Sequence, residues 1–159
     1  MTMPADSVIV KHSDMPVLGS PHVATIGLLA DAAATGGALS AVRVTLADGV
    51  DGAQPHRHRL GTELFYLLSG RAQVLVGDQL VQAGEGDLIV VPPDVPHAFA
   101  ALPEHPADLL IVIAPGIDRF EYFRMLERVA LGTLPRDSLL REQERFDTWF
   151  LSSPAWGQR

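Results

Sequence analysis

At 159 residues, 47% of them hydrophobic, the chain is the size of one domain able to bury its own core. The absence of cysteine excludes disulfides, thiolate chemistry and cysteine-ligated zinc, and it fits a cytoplasmic setting. Nineteen acidic residues against twelve basic, a net charge of −7, argue against a nucleic-acid-binding face and for an enzyme or binder of small molecules.

Residues 1–22 are weakly patterned, with Pro4, Pro16, Gly19 and Pro21 around a short Val8-Ile9-Val10 run. They are expected to form an N-terminal arm or edge strand, available for pairing with a second subunit. Residues 23–29 and 39–46 are strand-like, joined by the small-residue segment 31–37. Ala32-Ala33-Ala34 has the look of a signal-peptidase site. However, Asp6 and Asp14 precede it, Asp31 interrupts the apolar stretch, and that stretch starts too late for an export signal. No run reaches the roughly 18 consecutive apolar residues of a membrane span.

Strands are then predicted at 63–68, 72–76, 79–82, 87–91, 97–101 and 108–114, with turns at Gly77-Asp78 and Gly84-Glu85-Gly86. Many short strands at close spacing indicate a sandwich or barrel, an all-β class. The pattern changes after Pro115-Gly116. Asp118, with Glu121 three residues on, predicts a helix start, and Phe120, Phe123, Leu126, Glu127 and Ala130 follow a helical period ending near Gly132. A second helix is expected from Pro135 through Leu139, Leu140 and Phe146 into Trp149-Phe150-Leu151. Tyr122, Phe123 and Met125 suit either a lid over a barrel mouth or simple packing, and packing is the preferred reading. Six of the twelve basic residues lie between Arg119 and Arg145, interleaved with acids, which reads as a solvated helical face.

The residues that carry chemistry lie between the predicted third and later strands. His56 and His58 alternate in phase, so a strand points both the same way, about 7 Å apart and within reach of one ion. Glu63 lies five residues beyond His58, out of phase, so the chain must turn or bulge at Arg59, Gly61 or Thr62 to bring it to the same face. From there Glu63, Phe65 and Leu67 share the inner face of a strand that runs to Ser69-Gly70. A third histidine, His97, follows in Pro92-Pro93-Asp94-Val95-Pro96-His97. Imidazoles with one carboxylate are the usual ligands of Fe, Mn, Ni, Cu, Co or Zn and can leave positions open for substrate. His12, His22 and His105 have no such company and are read as surface or loop residues.

The run His56 to Gly70 resembles the first motif of the cupin superfamily, G-x5-H-x-H-x3-4-E-x6-G. The run from Gly86 through Pro92 to His97 resembles the second, G-x5-P-x-G-x2-H-x3-N. The resemblance covers roughly residues 38–114. It departs in three places. No glycine stands six before His56, the nearest being Gly49 and Gly52; Asp94 replaces a glycine, a substitution Asp tolerates because it visits left-handed backbone more easily than most residues; and Ala101 replaces the final Asn. The resemblance implies a double-stranded β-helix, or jelly-roll barrel, over 23–114 with a C-terminal helical extension over 115–159. It also implies one divalent transition metal on His56, His58, Glu63 and His97, with Fe(II) first and Mn, Ni, Co, Cu or Zn as alternatives, and a homodimer.

The ligand set is similar to that of cupin dioxygenases acting on flavonols and acireductones, and the helical tail to that of quercetinase-like bacterial cupins. This implies O2 as co-substrate and a small aromatic or enol-type substrate. Glu63 then has two tasks, metal ligand and catalytic base, and Phe65, Leu67, Gln73 and Phe99 are expected to line the pocket. Two other readings stand beside it: a redox-neutral isomerase, cyclase, decarboxylase or dehydratase, and a non-catalytic small-molecule-binding module. Neither nucleic acid nor membrane is an expected partner.

Overall fold

The computed structural model describes residues 7–159. Ten strands and three short helices follow in chain order: β1 Val17–Ser20, β2 Ala24–Ala30, β3 Ser40–Leu46, β4 His56–Arg57, β5 Thr62–Val76, β6 Gln79–Gly84, β7 Leu88–Val91, β8 His97–Ala101, β9 Ala107–Ala114, α1 Phe120–Ala130, α2 Asp137–Arg141, β10 Trp149–Phe150 and α3 Pro154–Gly157. All pairings are antiparallel, and they form two sheets that share β5. The first half of β5 pairs with β9 and β7, continuing through β3 and β2 to β1; its second half pairs with β6 and β8, continuing to β4 and β10. The result is a curled antiparallel barrel of the jelly-roll kind with helices at its C-terminal end.

Alternation sets the core. Along β3, Val42, Val44 and Leu46 are buried; along β9, Leu109, Ile111 and Ile113 are buried; the intervening side chains are only partly covered. Each such apolar side chain contributes about 1.5–3 kcal/mol of burial.

β5 carries the parity of the barrel. Glu63, Phe65 and Leu67 face inward as expected, but the register shifts between Leu67 and Ser69, and beyond this bulge the inward residues are the even-numbered Ala72 and Val74. The run read as two strands ending and restarting at Gly70 is therefore one bent strand. Gly70 makes the bend, with φ +77° and a backbone so close to the Pro106 carbonyl that a Cβ would overlap its oxygen.

The N-terminal region departs from expectation in detail. Val8, Ile9 and Val10 form no strand, and the edge strand is β1, paired with β2. Residues 1–6 of the expected arm lie outside the described residues. Ala32–Thr35, the stretch with the cleavage-site look, is a 3-10 turn.

The C-terminal extension is helical only in part. α1 is not capped by Asp118, whose Oδ1 instead accepts from the Ala33 backbone N–H. The free N–H groups of Arg119 and Phe120 are taken by the Asp31 carboxylate, 2.6 and 3.2 Å away, from a distant loop. α2 stops at Arg141 rather than running to Trp149. Asp147, at φ +44°, turns the chain, and its carboxylate accepts the backbone N–H groups of Arg59 and Leu60. The strand that follows, β10, pairs with β4 and so ties the tail to the His56 segment. Trp156 of α3 covers the outer face of the second sheet against Leu75, Ala98 and Ala100.

Candidate metal centre

β4 and the residue just after it, the start of β5 and the start of β8 bring His56, His58, Glu63 and His97 together inside the barrel. His56 and His97 are direct partners across the β4–β8 pair. All four are buried, and their ligand atoms lie within 4.8 Å of one another. The loop before β8 that aims His97 needs Asp94 in left-handed backbone, at φ +65°, as the substitution of Asp for glycine anticipated.

Each imidazole is oriented by a backbone carbonyl behind it. His56 Nδ1 donates to Gln54 O (2.7 Å), His58 Nδ1 to Asp147 O (2.6 Å) and His97 Nδ1 to Val95 O (2.9 Å). These bonds place the proton on Nδ1, so the Nε2 lone pairs point inward. Glu63 Oε2 sits 3.0 Å from His58 Nε2 and 2.8 Å from His97 Nε2. Four buried lone-pair donors facing one another repel unless a cation lies among them, and a transition metal ion fits this donor set.

The second oxygen of the carboxylate is already engaged. Arg119, the residue just before α1, is buried and donates from Nη1 to Glu63 Oε1 at 2.9 Å, while its Nε makes no hydrogen bond within the described residues. Arg119 is therefore not part of a solvated helical face, as the interleaved charges suggested, but a cation inside the barrel. Burial alone would push the Glu63 carboxyl up. In the ion-free site a His58 or His97 ring that takes a second proton on Nε2 donates to Glu63 and carries charge; that charge and those hydrogen bonds, with the charge of Arg119, outweigh burial and hold the group well below the usual carboxylate range. His56 is pushed the other way: burial first, then the neighbouring His97 and His58, keep it neutral well below the usual imidazole value.

Beside this cluster lies a cavity of about 560 Å³. His56, Glu63, Arg119 and Tyr122 form its buried floor, and Asp51, Gln54 and Arg136 its exposed rim. Between them the wall is apolar, from Val42, Val44 and Ile111 of the barrel to Leu126 and Val129 of α1 and Leu139 of α2. α1 thus does both things weighed for it, packing onto the barrel and walling the cavity.

The family model described as Cupin domain matches residues 42–113, the span that holds all four clustered residues. Residues 42–113 form a cupin domain. This cupin is 28% identical over 60 residues to an uncharacterised protein of Methanocaldococcus jannaschii, a match covering 38% of this chain and 48% of that one, so the chain spans about half the length of the curated relative it matches. Among solved structures it resembles a predicted oxalate decarboxylase of Thermotoga maritima, with TM-score 0.60 and 18% identity over 67% of this chain and 98% of that one. It also resembles Streptomyces PAC13 with uridine, with TM-score 0.56 and 19% identity over 71% and 85% of the two chains. A third neighbour is the Fe(II) form of HppE, with TM-score 0.58 and 20% identity over 70% and 62%. At these identities the likeness establishes the jelly-roll fold of the cupin.

Of the residues expected to line the cupin's pocket, Phe99 does so. Phe65 packs against it in a tilted arrangement, its ring 5.5 Å from Phe99 and 5.9 Å from His97, and Leu67 is fully buried in the barrel core. Gln73, expected in the pocket from the resemblance, faces outward into a separate groove with Trp156 and Arg159, because beyond the β5 bulge the inward residues are the even-numbered Ala72 and Val74. Met125, on the covered side of α1, does not reach the cavity, whereas Tyr122 and Phe123 do. Two site residues escaped the sequence reading. Arg119 stood among exposed helical charges with no motif around it. Asp147, whose carbonyl holds His58, lies 89 residues away in the tail. No helix among the described residues is long and apolar enough to cross a membrane.

Proposed function

We propose that this cupin is a metal-dependent enzyme that uses dioxygen on a small aromatic or enol-type substrate, in the manner of quercetinase-like dioxygenases. The observation that carries the reading is the apolar cavity whose floor is His56 and Glu63: a bound organic molecule has its reacting end against the ligand cluster. His56, His58, Glu63 and His97 hold the ion, with Fe(II) the first choice. When bound, the ion supplies Lewis acidity and one-electron chemistry.

The chain's own residues restrict the substrate. Glu63 is ionised, as a proton acceptor must be, but Arg119 weakens it as a base. It therefore suits a substrate acidic enough to give up its proton easily, an enol, phenol or carboxylic acid. The Tyr122 hydroxyl makes no hydrogen bond within the described residues, and burial pushes its phenol up to about 12, so it stays a proton donor at the cavity floor. Phe99, Leu126 and Val129 line the cavity with apolar surface that offers water no hydrogen-bond partner.

One observation favours a redox-neutral alternative. The Arg119 guanidinium and the Tyr122 hydroxyl at the floor are suited to stabilising an enolate or alkoxide with no electron transfer, as in a dehydration or decarboxylation. Pac13, a structural neighbour, is a nucleoside dehydratase. The two readings separate when Fe(II)-reconstituted protein is incubated with a panel of catechols, flavonols and β-dicarbonyl enols, following oxygen uptake and products by mass spectrometry. The dioxygenase reading expects oxygen-dependent product carrying label from 18O2. The same product formed without oxygen would overturn it in favour of the alternative.

The proposal takes the protein to be a cytoplasmic homodimer. Tyr66, Leu68, Leu88 and Val90 lie exposed on the outer face of the first sheet, where β5 pairs with β7, and such a patch suits a second copy. The parent is expected to sediment as a dimer and Leu88→Arg as a monomer; a monomeric parent would remove the dimer assignment, and a dimeric Leu88→Arg would remove this interface.

A further inference from the structure

Charge is unevenly satisfied around the cavity. Its lining contains two acids and two cations. Glu63 on the floor is paired with Arg119, and Asp51 on the rim is paired with Arg159 at 2.7 and 2.8 Å. The Arg136 guanidinium on the rim has no ion-pair or hydrogen-bond partner among the described residues. Arg136 sits at the turn into α2 with its side chain exposed, and it lines the same apolar cavity as the buried His56 and Glu63. The chain as a whole is acidic, at −7, so its general field repels anions. An unpaired arginine at the mouth of an apolar cavity is the local exception, and its planar fork matches a carboxylate.

We propose that the cavity selects an amphipathic acid: an apolar body fills the channel, its anionic group is held at the rim by Arg136, and its opposite end reaches the floor at His56 and Glu63. This rests on the reading of the cavity as the substrate site, and it names the substrate class. Arg136 is a specificity-determining residue in it. The volume of about 560 Å³ accommodates an arylalkanoic acid, and the rim hydroxyl and amide acceptors of a sugar-binding site are missing apart from Gln54. A neutral substrate of the same shape leaves Arg136 without a partner, and an amine meets it with like charge.

Binding decides this without turnover. Zinc-loaded protein is titrated calorimetrically with 4-phenylbutyrate, its primary amide and 4-phenylbutylamine, in low and high salt. The acid is expected to bind about three- to tenfold more tightly than the amide, the range of one partly screened charge-assisted contact, with the difference shrinking in high salt. Arg136→Gln is expected to erase the preference, Arg136→Lys to keep most of it, and Arg136→Glu to favour the amine. Since Arg136 is exposed and unpaired, these variants fold as the parent does. Leu126→Trp, which fills the channel, is expected to abolish binding of all three probes. Equal affinity for acid and amide, no binding of any probe, or a preference untouched by Arg136→Gln overturns the proposal. None of these results bears on oxygen chemistry: failure of the dioxygenase assay with the acid preference intact leaves this inference standing.

Discussion

Arg119→Met removes the guanidinium that faces Glu63 inside the barrel while keeping most of the side chain's volume. In the metal-free protein the Glu63 carboxylate then remains buried with only imidazole nitrogens against Oε2 and nothing on Oε1, which Arg119 Nη1 reached at 2.9 Å. Breaking a buried pair from one side costs about 3–5 kcal/mol. With a urea slope of about 2 kcal/mol/M, the unfolding midpoint falls by about 1.5–2.5 M. Glu63→Gln alone strands the guanidinium and is expected to cost a similar amount. The double variant strands neither charge, so its cost falls short of the sum of the two single costs by at least about 2 kcal/mol. The sign of the pH effect also follows. Glu63 is depressed in the folded state, so its contribution is complete above the ordinary carboxylate range and is lost as pH falls through the depressed value; in Arg119→Met that loss begins at higher pH. Single and double costs that add within about 0.5 kcal/mol would refute the claim that Arg119 and Glu63 are one buried unit.

Three further outcomes are expected. Gly70→Ala places a Cβ on the Pro106 carbonyl at a positive φ and should destabilise by about 2–4 kcal/mol in urea unfolding, with Gly77→Ala, where the added Cβ meets no atom, as the milder control. Asp31→Ala removes both acceptors at the start of α1 and should cost about 1–2 kcal/mol, with faster hydrogen exchange confined at first to residues around Arg119 and Phe120. His56 is depressed in the folded state, so the unfolded chain binds the extra proton first; stability of the metal-free protein should fall as pH drops below about 6.5, by up to about 1.4 kcal/mol per pH unit, and His56→Gln should flatten that slope.

Spacing carried the ligand set because alternation in a strand is a strict rule: His56 and His58 in phase, Glu63 out of phase, and a break between them. The structure places that break at Arg59 to Gly61, where Asp147 takes the backbone N–H groups of Arg59 and Leu60. Gln73, placed in the pocket by the resemblance, lies outside it because a second parity break, the bulge after Leu67, leaves no mark in residue type beyond Ser69-Gly70. Arg119 was illegible for a different reason. Its role depends on Asp31 anchoring the start of α1 over the barrel, a contact 88 residues apart in sequence. Likewise the helical period through Phe146 was read as one helix, while the chain turns at Asp147 to bring Trp149 and Phe150 against β4. Local periodicity describes elements and says little about which loop closes over which mouth.

The central claim is that His56, His58, Glu63 and His97 jointly hold one divalent transition ion. Elemental analysis of purified protein, after dialysis against chelator and reconstitution with Fe(II), is expected to give about one metal per chain, as one such donor set requires. His58→Ala, still folded by circular dichroism, should fall well below that. Equal metal content in the parent and in His58→Ala, or a parent that retains none while folded, would contradict the account.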